Sequence, residues 1–249
     1  GQYLLVAAPA RQHISKRGNR IMITPHSSKD FETELRTLRE RLCAMGGRCE
    51  QQLTLAMQAL AERDDDMARK VIENDMAIDR DENEIDELAL QILATRQPVA
   101  SDLRFITMSL KFVTDLERIG DLSASIAKRA LEINHLPPLT HTPDLGRLAG
   151  LVHKNLKSAL DSFVTRDADR AQAIIIADRE VDALNASLFA ELLAHVATDP
   201  ATVTRILPLT SVCRCLERMG DHVKNLAEQV VYMVRAQDVR HRPIVPPAN

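Results

Sequence analysis

A repeated six-residue motif is the strongest constraint on how this chain folds. Leu-Glu-Arg-Ile-Gly-Asp at positions 116–121 returns, with one conservative change, as Leu-Glu-Arg-Met-Gly-Asp at positions 216–221. Around both copies, apolar residues recur every three or four positions, which is the period of an amphipathic α-helix. A second match, between positions 63–66 and 166–169, extends each unit at an offset of 103 rather than 100 residues. The chain is therefore predicted to use one helical unit twice, with a shorter connection in the second half.

The composition favours an all-α fold. Hydrophobic residues make up 45% of the chain, enough for a buried core, whereas aromatic residues make up only 3% and tryptophan is absent. Aliphatic side chains suit packed helices better than β-sandwiches or barrels. The helical pattern is interrupted by Gly46-Gly47, which predicts a bend, and by three prolines between positions 134 and 143. We therefore predict two tandem, pseudo-symmetric three-helix bundles, at residues 29–135 and 143–237, between an N-terminal extension (1–28) and a proline-rich tail (238–249).

Charge, hydropathy and cysteine spacing exclude several functional classes. The net charge is −3, so the chain has no general basic field that would hold nucleic acid. No apolar run approaches the roughly 18–20 residues that a membrane-spanning helix needs, so we expect no direct membrane span. The four cysteines are too few for a disulfide scaffold and lack the spacing of a metal finger, which indicates reduced thiols.

The repeat carries an unusual arrangement of carboxylates. Glu117 and Asp121 are four residues apart, so a helix places both on one face, at the margin of its apolar stripe. Gly120 lies on the same face and leaves room for a neighbouring helix or a ligand. Similar pairs recur on a second helix of each half. The candidate metal-binding pairs are Asp75 and Asp79, Glu117 and Asp121, Asp178 and Asp182, and Glu217 and Asp221.

Charge alone leaves two interpretations of these pairs. Crowded carboxylates repel one another, and removing them from water without compensation costs several kcal/mol each. Nearby bases could neutralise them in ordinary salt bridges: Arg118, Arg218, Lys128 and Lys224. A multivalent cation could do the same, and oxygen ligands favour hard ions such as magnesium, calcium, manganese or iron. The Glu-x-x-His element of di-iron bundle enzymes is absent from these pairs.

His222 directly follows the second block, but its counterpart in the first half is Leu122. Consecutive residues of a helix also point about 100° apart, so His222 does not share the face of Asp221. We therefore interpret His222 as a surface or partly buried histidine rather than a ligand.

Four further motifs accompany the two six-residue blocks. They are Thr-Pro-His at 24–26, Gln-Pro-Val-Ala at 97–100, Asp-Leu-Arg at 102–104 and Asn-Leu-Ala-Glu at 225–228. With the blocks, these motifs resemble the PhoU family, the accessory and regulatory proteins of bacterial phosphate-specific transport. The resemblance covers residues 22 to about 236 and implies the same fold of two three-helix bundles.

The resemblance also implies a role and a set of ligands. Family members carry E/D-x-x-x-D motifs that bind multinuclear iron or zinc clusters, and here those motifs match the eight acids named above; manganese or magnesium would also suit oxygen ligands. The implied role is negative regulation of the phosphate-starvation response by a cytoplasmic homodimer, held at the inner face of the membrane by its partners. The implied partners are the ATPase subunit of the phosphate transporter and a membrane sensor histidine kinase. Cys215 and Asn185 depart from the family pattern, which implies that the second half holds fewer ions or binds them more weakly.

Three functions remain open at this point. The first is a non-enzymatic signalling adaptor with metal-bearing acidic clusters, which we favour. The second is a metal-dependent hydrolase or phosphatase that uses the same carboxylates, but no nucleophile, general-base histidine or phosphate-binding glycine loop accompanies them in the sequence. The third is a plain helical scaffold whose acids are solvated.

Overall fold

The computed structural model describes residues 25–139 and 143–240, which form six α-helices and one short 3-10 helix. The first half contains α1 (Pro25–Glu62), α2 (Asp65–Arg96) and α3 (Ala100–Asn134). The second half contains α4 (Leu145–Thr165), α5 (Ala168–Thr198) and α6 (Val203–Arg235), with the 3-10 turn Pro200–Thr202 before α6. No strand occurs in either described range, so the prediction of an all-α fold is confirmed. The predicted extension up to residue 24 and the tail from residue 241 lie outside the described residues.

Helices α2 and α5 begin in the same way. The carboxylate of Asp64 accepts a hydrogen bond from the backbone N–H of Met67 at 2.9 Å, and that of Asp167 accepts one from Arg170 at 2.9 Å. An aspartate at this position satisfies an N–H group that the first turn would leave unpaired, and its charge suits the helix dipole. The preceding residues, Arg63 and Arg166, both adopt left-handed backbone conformations, with φ of 57° and 56°. This shared turn explains why positions 63–66 and 166–169 repeat.

The two halves share one hydrophobic core. Helix α3 packs against α6 and α1 contacts α4, in addition to the contacts within each half. The ring of Phe163 in α4 stacks on Phe112 of α3, with centroids 4.6 Å apart, and on Phe105, 6.2 Å away. These aromatic contacts cross the boundary between the repeats, so the core is continuous from one bundle to the other. None of the described helices has a stretch long and apolar enough to cross a bilayer.

Helix α1 differs from the sequence-based expectation at two points. It begins at Pro25, ahead of the predicted boundary at residue 29. It also runs without interruption through Gly46 and Gly47, where the glycines predict a bend. A Cβ atom at Gly46 would overlap the side chain of Leu160 in α4, whereas nothing lies within 4 Å of one at Gly47. Gly46 therefore permits the close approach of α1 to α4.

Candidate functional site

In both halves, the glycine of the six-residue block lets two helices approach closely. A Cβ atom at Gly120 of α3 would lie 2.8 Å from Cδ1 of Ile78 and 3.4 Å from Oδ1 of Asp75, both in α2. At Gly220 of α6, the same atom would lie 3.0 Å from Cγ1 of Val181 and 3.6 Å from Oδ1 of Asp178, both in α5. Each glycine therefore admits a neighbouring helix rather than leaving open space, and this approach brings the acidic pairs of the two helices together.

The first acidic cluster lies between α2 and α3. Burial and the negative charge of Asp121 together raise the pKa of Glu117 to about 7, against the opposing effect of Arg118. Burial also raises the pKa of Asp75 to about 6, with contributions from Asp121 and Asp79. The carboxylates therefore repel one another across the two helices. We define this cluster as Asp75, Asp79, Glu82, Glu117 and Asp121.

The second acidic cluster lies between α5 and α6, and we define it as Asp178, Asp182, Glu217 and Asp221. Burial is the main cause that raises the pKa of Glu217, followed by the charges of Asp221 and Asp182. Burial likewise raises the pKa of Asp221, together with the charges of Asp178 and Asp182. All eight predicted acids therefore belong to two clusters, one in each repeat.

In each cluster, one basic side chain pairs with the acids. The guanidinium of Arg118 lies 3.3 Å from Oε2 of Glu117 and 3.1 Å from Oδ2 of Asp121. In the second cluster, Nζ of Lys224 donates a hydrogen bond of 2.9 Å to Oδ2 of the buried Asp178, and this bond raises the pKa of Lys224. The ion-pair interpretation therefore describes the arrangement seen here. Across the described part of the chain, no three histidine, cysteine or acidic side chains converge closely enough to hold one metal ion.

The side chains nevertheless fit a cation in their chemistry. Every donor in the two clusters is a carboxylate oxygen, the type that hard divalent ions prefer. Oε2 of Glu117 is buried and accepts no hydrogen bond despite its proximity to Arg118. Charge repulsion and an unsatisfied acceptor are both relieved by a positive ion. To bind one, Arg118 and Lys224 would have to turn away and the carboxylates would have to converge.

The second cluster is poorer in charge than the first. Asn185 of α5 occupies the position that corresponds to Glu82 of α2, as the sequence indicated. Its Oδ1 atom is buried and has no hydrogen-bond partner in the described residues. An amide there supplies an oxygen without a negative charge, so it offers a weaker ligand than a carboxylate.

A buried polar contact between the two halves was not predicted from the sequence. The carboxylate of Asp115 in α3 lies 2.8 Å from Nδ1 of His222, and it accepts hydrogen bonds from Asn225 at 3.1 Å and Gln229 at 2.6 Å, all in α6. His222 is partly buried and faces this contact. Cys215, the second-half counterpart of Asp115, lies at the equivalent place on α6. Burial raises the pKa of its thiol, against the opposing charges of Arg218 and of Arg129 in α3.

Asp115, Cys215 and His222 therefore lie at the contact between α3 and α6. They do not belong to the second acidic cluster, to which the sequence had linked the departure at Cys215. The unequal pairs Asp115 and Cys215, and His222 and Leu122, were the signal for this contact in the sequence.

Comparison with known proteins places the chain in a family. A family model described as the PhoU domain matches residues 42–130 and 145–230. The chain is 40% identical over 225 residues to the phosphate-specific transport system accessory protein PhoU homolog of Pseudomonas aeruginosa, covering 90% of this chain and 93% of that protein. It is 36% identical over 222 residues to the phosphate-specific transport system accessory protein PhoU of Escherichia coli, covering 88% and 91%.

Solved structures agree. The crystal structure of PhoU from Pseudomonas aeruginosa matches with a TM-score of 0.81 and 39% identity, over 83% of this chain and all of that one. The phosphate transport system regulatory protein PhoU from Streptococcus pneumoniae matches with a TM-score of 0.78 and 28% identity, over 84% and 99%. Both six-residue blocks lie within the regions that the family model matches, and each region covers most of one repeat. The chain therefore belongs to the PhoU family, with one PhoU domain in each half.

Proposed function

We propose that this protein is a non-enzymatic accessory protein of a phosphate-specific transport system and represses the phosphate-starvation response when phosphate is plentiful. The observation that carries this proposal is the match of both repeats to relatives named as accessory or regulatory proteins of phosphate transport. The acidic clusters lie on the same repeated framework. The names of these relatives describe accessory and regulatory proteins, which favours this role over a hydrolase that uses the same carboxylates.

The protein acts as an adaptor between two membrane-associated partners in this proposal. One partner is the ATPase subunit of the phosphate transporter, and the other is a sensor histidine kinase. A homodimer in the cytoplasm would contact both at the inner face of the membrane. The continuous core between the two halves supports this role, because a shared core can hold two repeated surfaces in a fixed relation.

We further propose that the two acidic clusters bind multivalent metal ions, with iron or zinc as the implied ions and manganese or magnesium as alternatives. Asp75, Asp79, Glu117 and Asp121 would hold them in the first half. Asp178, Asp182, Glu217 and Asp221 would hold them in the second. The cation would supply positive charge that removes the repulsion between carboxylates. Arg118 and Lys224 would release their acids and become available for a partner.

Deletion of the gene tests the regulatory role. Without this protein, a reporter of the phosphate-starvation response should stay active in phosphate-rich medium, and expression of the full chain should restore repression. Affinity purification from the same strain at high phosphate should recover the transporter ATPase and the sensor kinase. Normal repression in the deletion strain would contradict the regulatory role, whereas failure to recover either partner at any phosphate level would contradict the adaptor.

Paired substitutions test the metal proposal. Metal content should fall in the Asp121→Ala, Glu217→Ala double variant, because each change removes a carboxylate from one cluster. The matched control is Asp66→Ala, Asp169→Ala, which removes two repeat-equivalent acids whose side chains are 90% and 87% exposed. Equal metal content in both double variants would contradict the assignment of the clusters. Zinc and iron should be measured on protein purified without a metal-affinity tag.

A further inference from the structure

Two arginines from different halves lie near each other where α1, α3, α4 and α6 meet. Arg39 projects from α1, and its guanidinium carbon lies 5.1 Å above the centroid of the Phe105 ring. Arg166 lies in the turn between α4 and α5. Both line one small pocket with Phe105, Phe163, Val230, Met233 and Val234. The pocket therefore has an apolar and aromatic floor with two cationic groups beside it.

Neither arginine has an acidic partner. No carboxylate lies within ion-pair distance of Arg39 or Arg166 in the described residues. Burial lowers the pKa of Arg39, and the positive charge of Arg166 also lowers it. The regions outside the described ranges contain no aspartate or glutamate, so all 35 acidic side chains of the chain lie within those ranges. Asp167, the acid next to Arg166 in sequence, accepts a hydrogen bond from the backbone of Arg170. Glu40, the acid next to Arg39, lies 3.8 Å from Arg36 instead. The positive charge at this pocket is therefore left without a counterion from the chain's own side chains.

The arginine that corresponds to Arg166 in the first half differs from it in its hydrogen bonds. Arg63, which corresponds to Arg166 in the repeat, donates hydrogen bonds to the backbone oxygens of Ile133 and Asn134 at the end of α3 and of Leu136 just after it. Within the described part of the chain, the exposed Arg166 donates no such bonds to the end of α6. The repeat thus uses Arg63 to satisfy a helix end and leaves the guanidinium of Arg166 available.

We propose that Arg39 and Arg166 form a binding site for a tetrahedral oxyanion, inorganic phosphate. A guanidinium presents N–H donors in a planar fork that matches oxyanion geometry, and two such groups near each other lose their mutual repulsion when a dianion lies between them. The ring of Phe105 shields one side of Arg39 from water, which strengthens a charge interaction. The choice of phosphate among oxyanions rests on the proposed function, because a regulator of phosphate transport would gain direct access to the phosphate concentration.

Calorimetric titration of the full chain with inorganic phosphate tests this site. The protein is first treated with a chelator, because metal ions in the acidic clusters would themselves bind phosphate. Ionic strength is held constant, and sulfate is titrated in parallel. Saturable phosphate binding is expected, with an affinity in the micromolar to millimolar range. Arg39→Gln and Arg166→Gln should each weaken it at least about tenfold, because each removes one charged set of donors.

Arg41→Gln is the matched control. Arg41 lies on the same helix as Arg39, but its guanidinium pairs with Glu84 at 3.1 Å, so this variant should bind phosphate like the wild type. Thermal unfolding of each variant in phosphate-free buffer checks that it is folded, and the exposed Arg166 provides a test that does not disturb the core. Absence of saturable binding, equal binding of sulfate, or wild-type affinity in Arg166→Gln would overturn the site. The regulatory role is tested separately, by repression in cells, so the phosphate site can fail while the regulatory role holds.

Discussion

Replacing Gly120 by alanine should separate the effect of close helix packing from the intrinsic cost of a glycine in a helix. The added Cβ atom would lie 2.8 Å from Cδ1 and 3.1 Å from Cγ2 of the fully buried Ile78, so α2 or this side chain must shift. Overpacking of this kind costs about 1–3 kcal/mol. Removing a glycine from a helix interior gains about 1 kcal/mol. The net change in unfolding free energy for Gly120→Ala is therefore expected to lie between about zero and a loss of about 2 kcal/mol.

Gly47→Ala provides the control for the intrinsic term. Gly47 is also inside a helix, but nothing lies within 4 Å of the place that a Cβ atom would occupy on this exposed face of α1. This variant should gain about 1 kcal/mol. The difference between the two variants should then equal the overpacking cost of about 1–3 kcal/mol, whatever the intrinsic gain is. Urea unfolding followed by circular dichroism measures both values. If Gly120→Ala is stabilised as much as Gly47→Ala, close packing at the six-residue block is not the reason for its glycine.

Three other perturbations test the electrostatic features of the structure. Asp115→Ala should lower the unfolding free energy by about 2–3 kcal/mol, because it leaves the amide of Gln229 and two other donors without their acceptor. Urea unfolding measures this change. A loss below about 0.5 kcal/mol would contradict a stabilising contact between the halves. Glu117 has a folded-state pKa of about 7, above its ordinary value of 4.5, so the metal-free protein should lose stability as the pH rises from about 5 to about 8. Glu117→Gln should flatten this dependence, and an unchanged profile would contradict the raised pKa. Arg118→Gln should destabilise the metal-free protein but tighten zinc or manganese binding in a titration, because it removes a competing cation; weaker metal binding would contradict that competition.

The repeated features of the fold could be predicted from the sequence because they depend on local chemistry. The positions of α2 and α5 follow from capping aspartates and from the period of the apolar residues. The role of Gly46 could not be predicted in this way. A glycine that bends a helix and a glycine that admits a neighbouring helix look the same in sequence, and the distinction depends on Leu160, far away in the chain.

The candidate site could likewise be predicted from the sequence only in part. The acids of each half could be assigned to one face because their spacing matches the helical turn. The sequence could also name the bases within reach, but it could not select Arg118 and Lys224 among them, because side-chain rotamers and the packing of two helices decide which pair forms. The contact of Asp115 with His222 was missed for a related reason. It requires knowledge that α3 lies against α6.

An anomalous-scattering map from crystals grown with iron, zinc or manganese tests most directly whether the two acidic clusters are metal sites. We expect peaks between the carboxylates of α2 and α3 and between those of α5 and α6, with oxygen ligands at about 2.0–2.3 Å. Arg118 and Lys224 should have turned away from Glu117 and Asp178. Crystals in which both bases keep their ion pairs and no peak lies near either cluster would contradict metal binding.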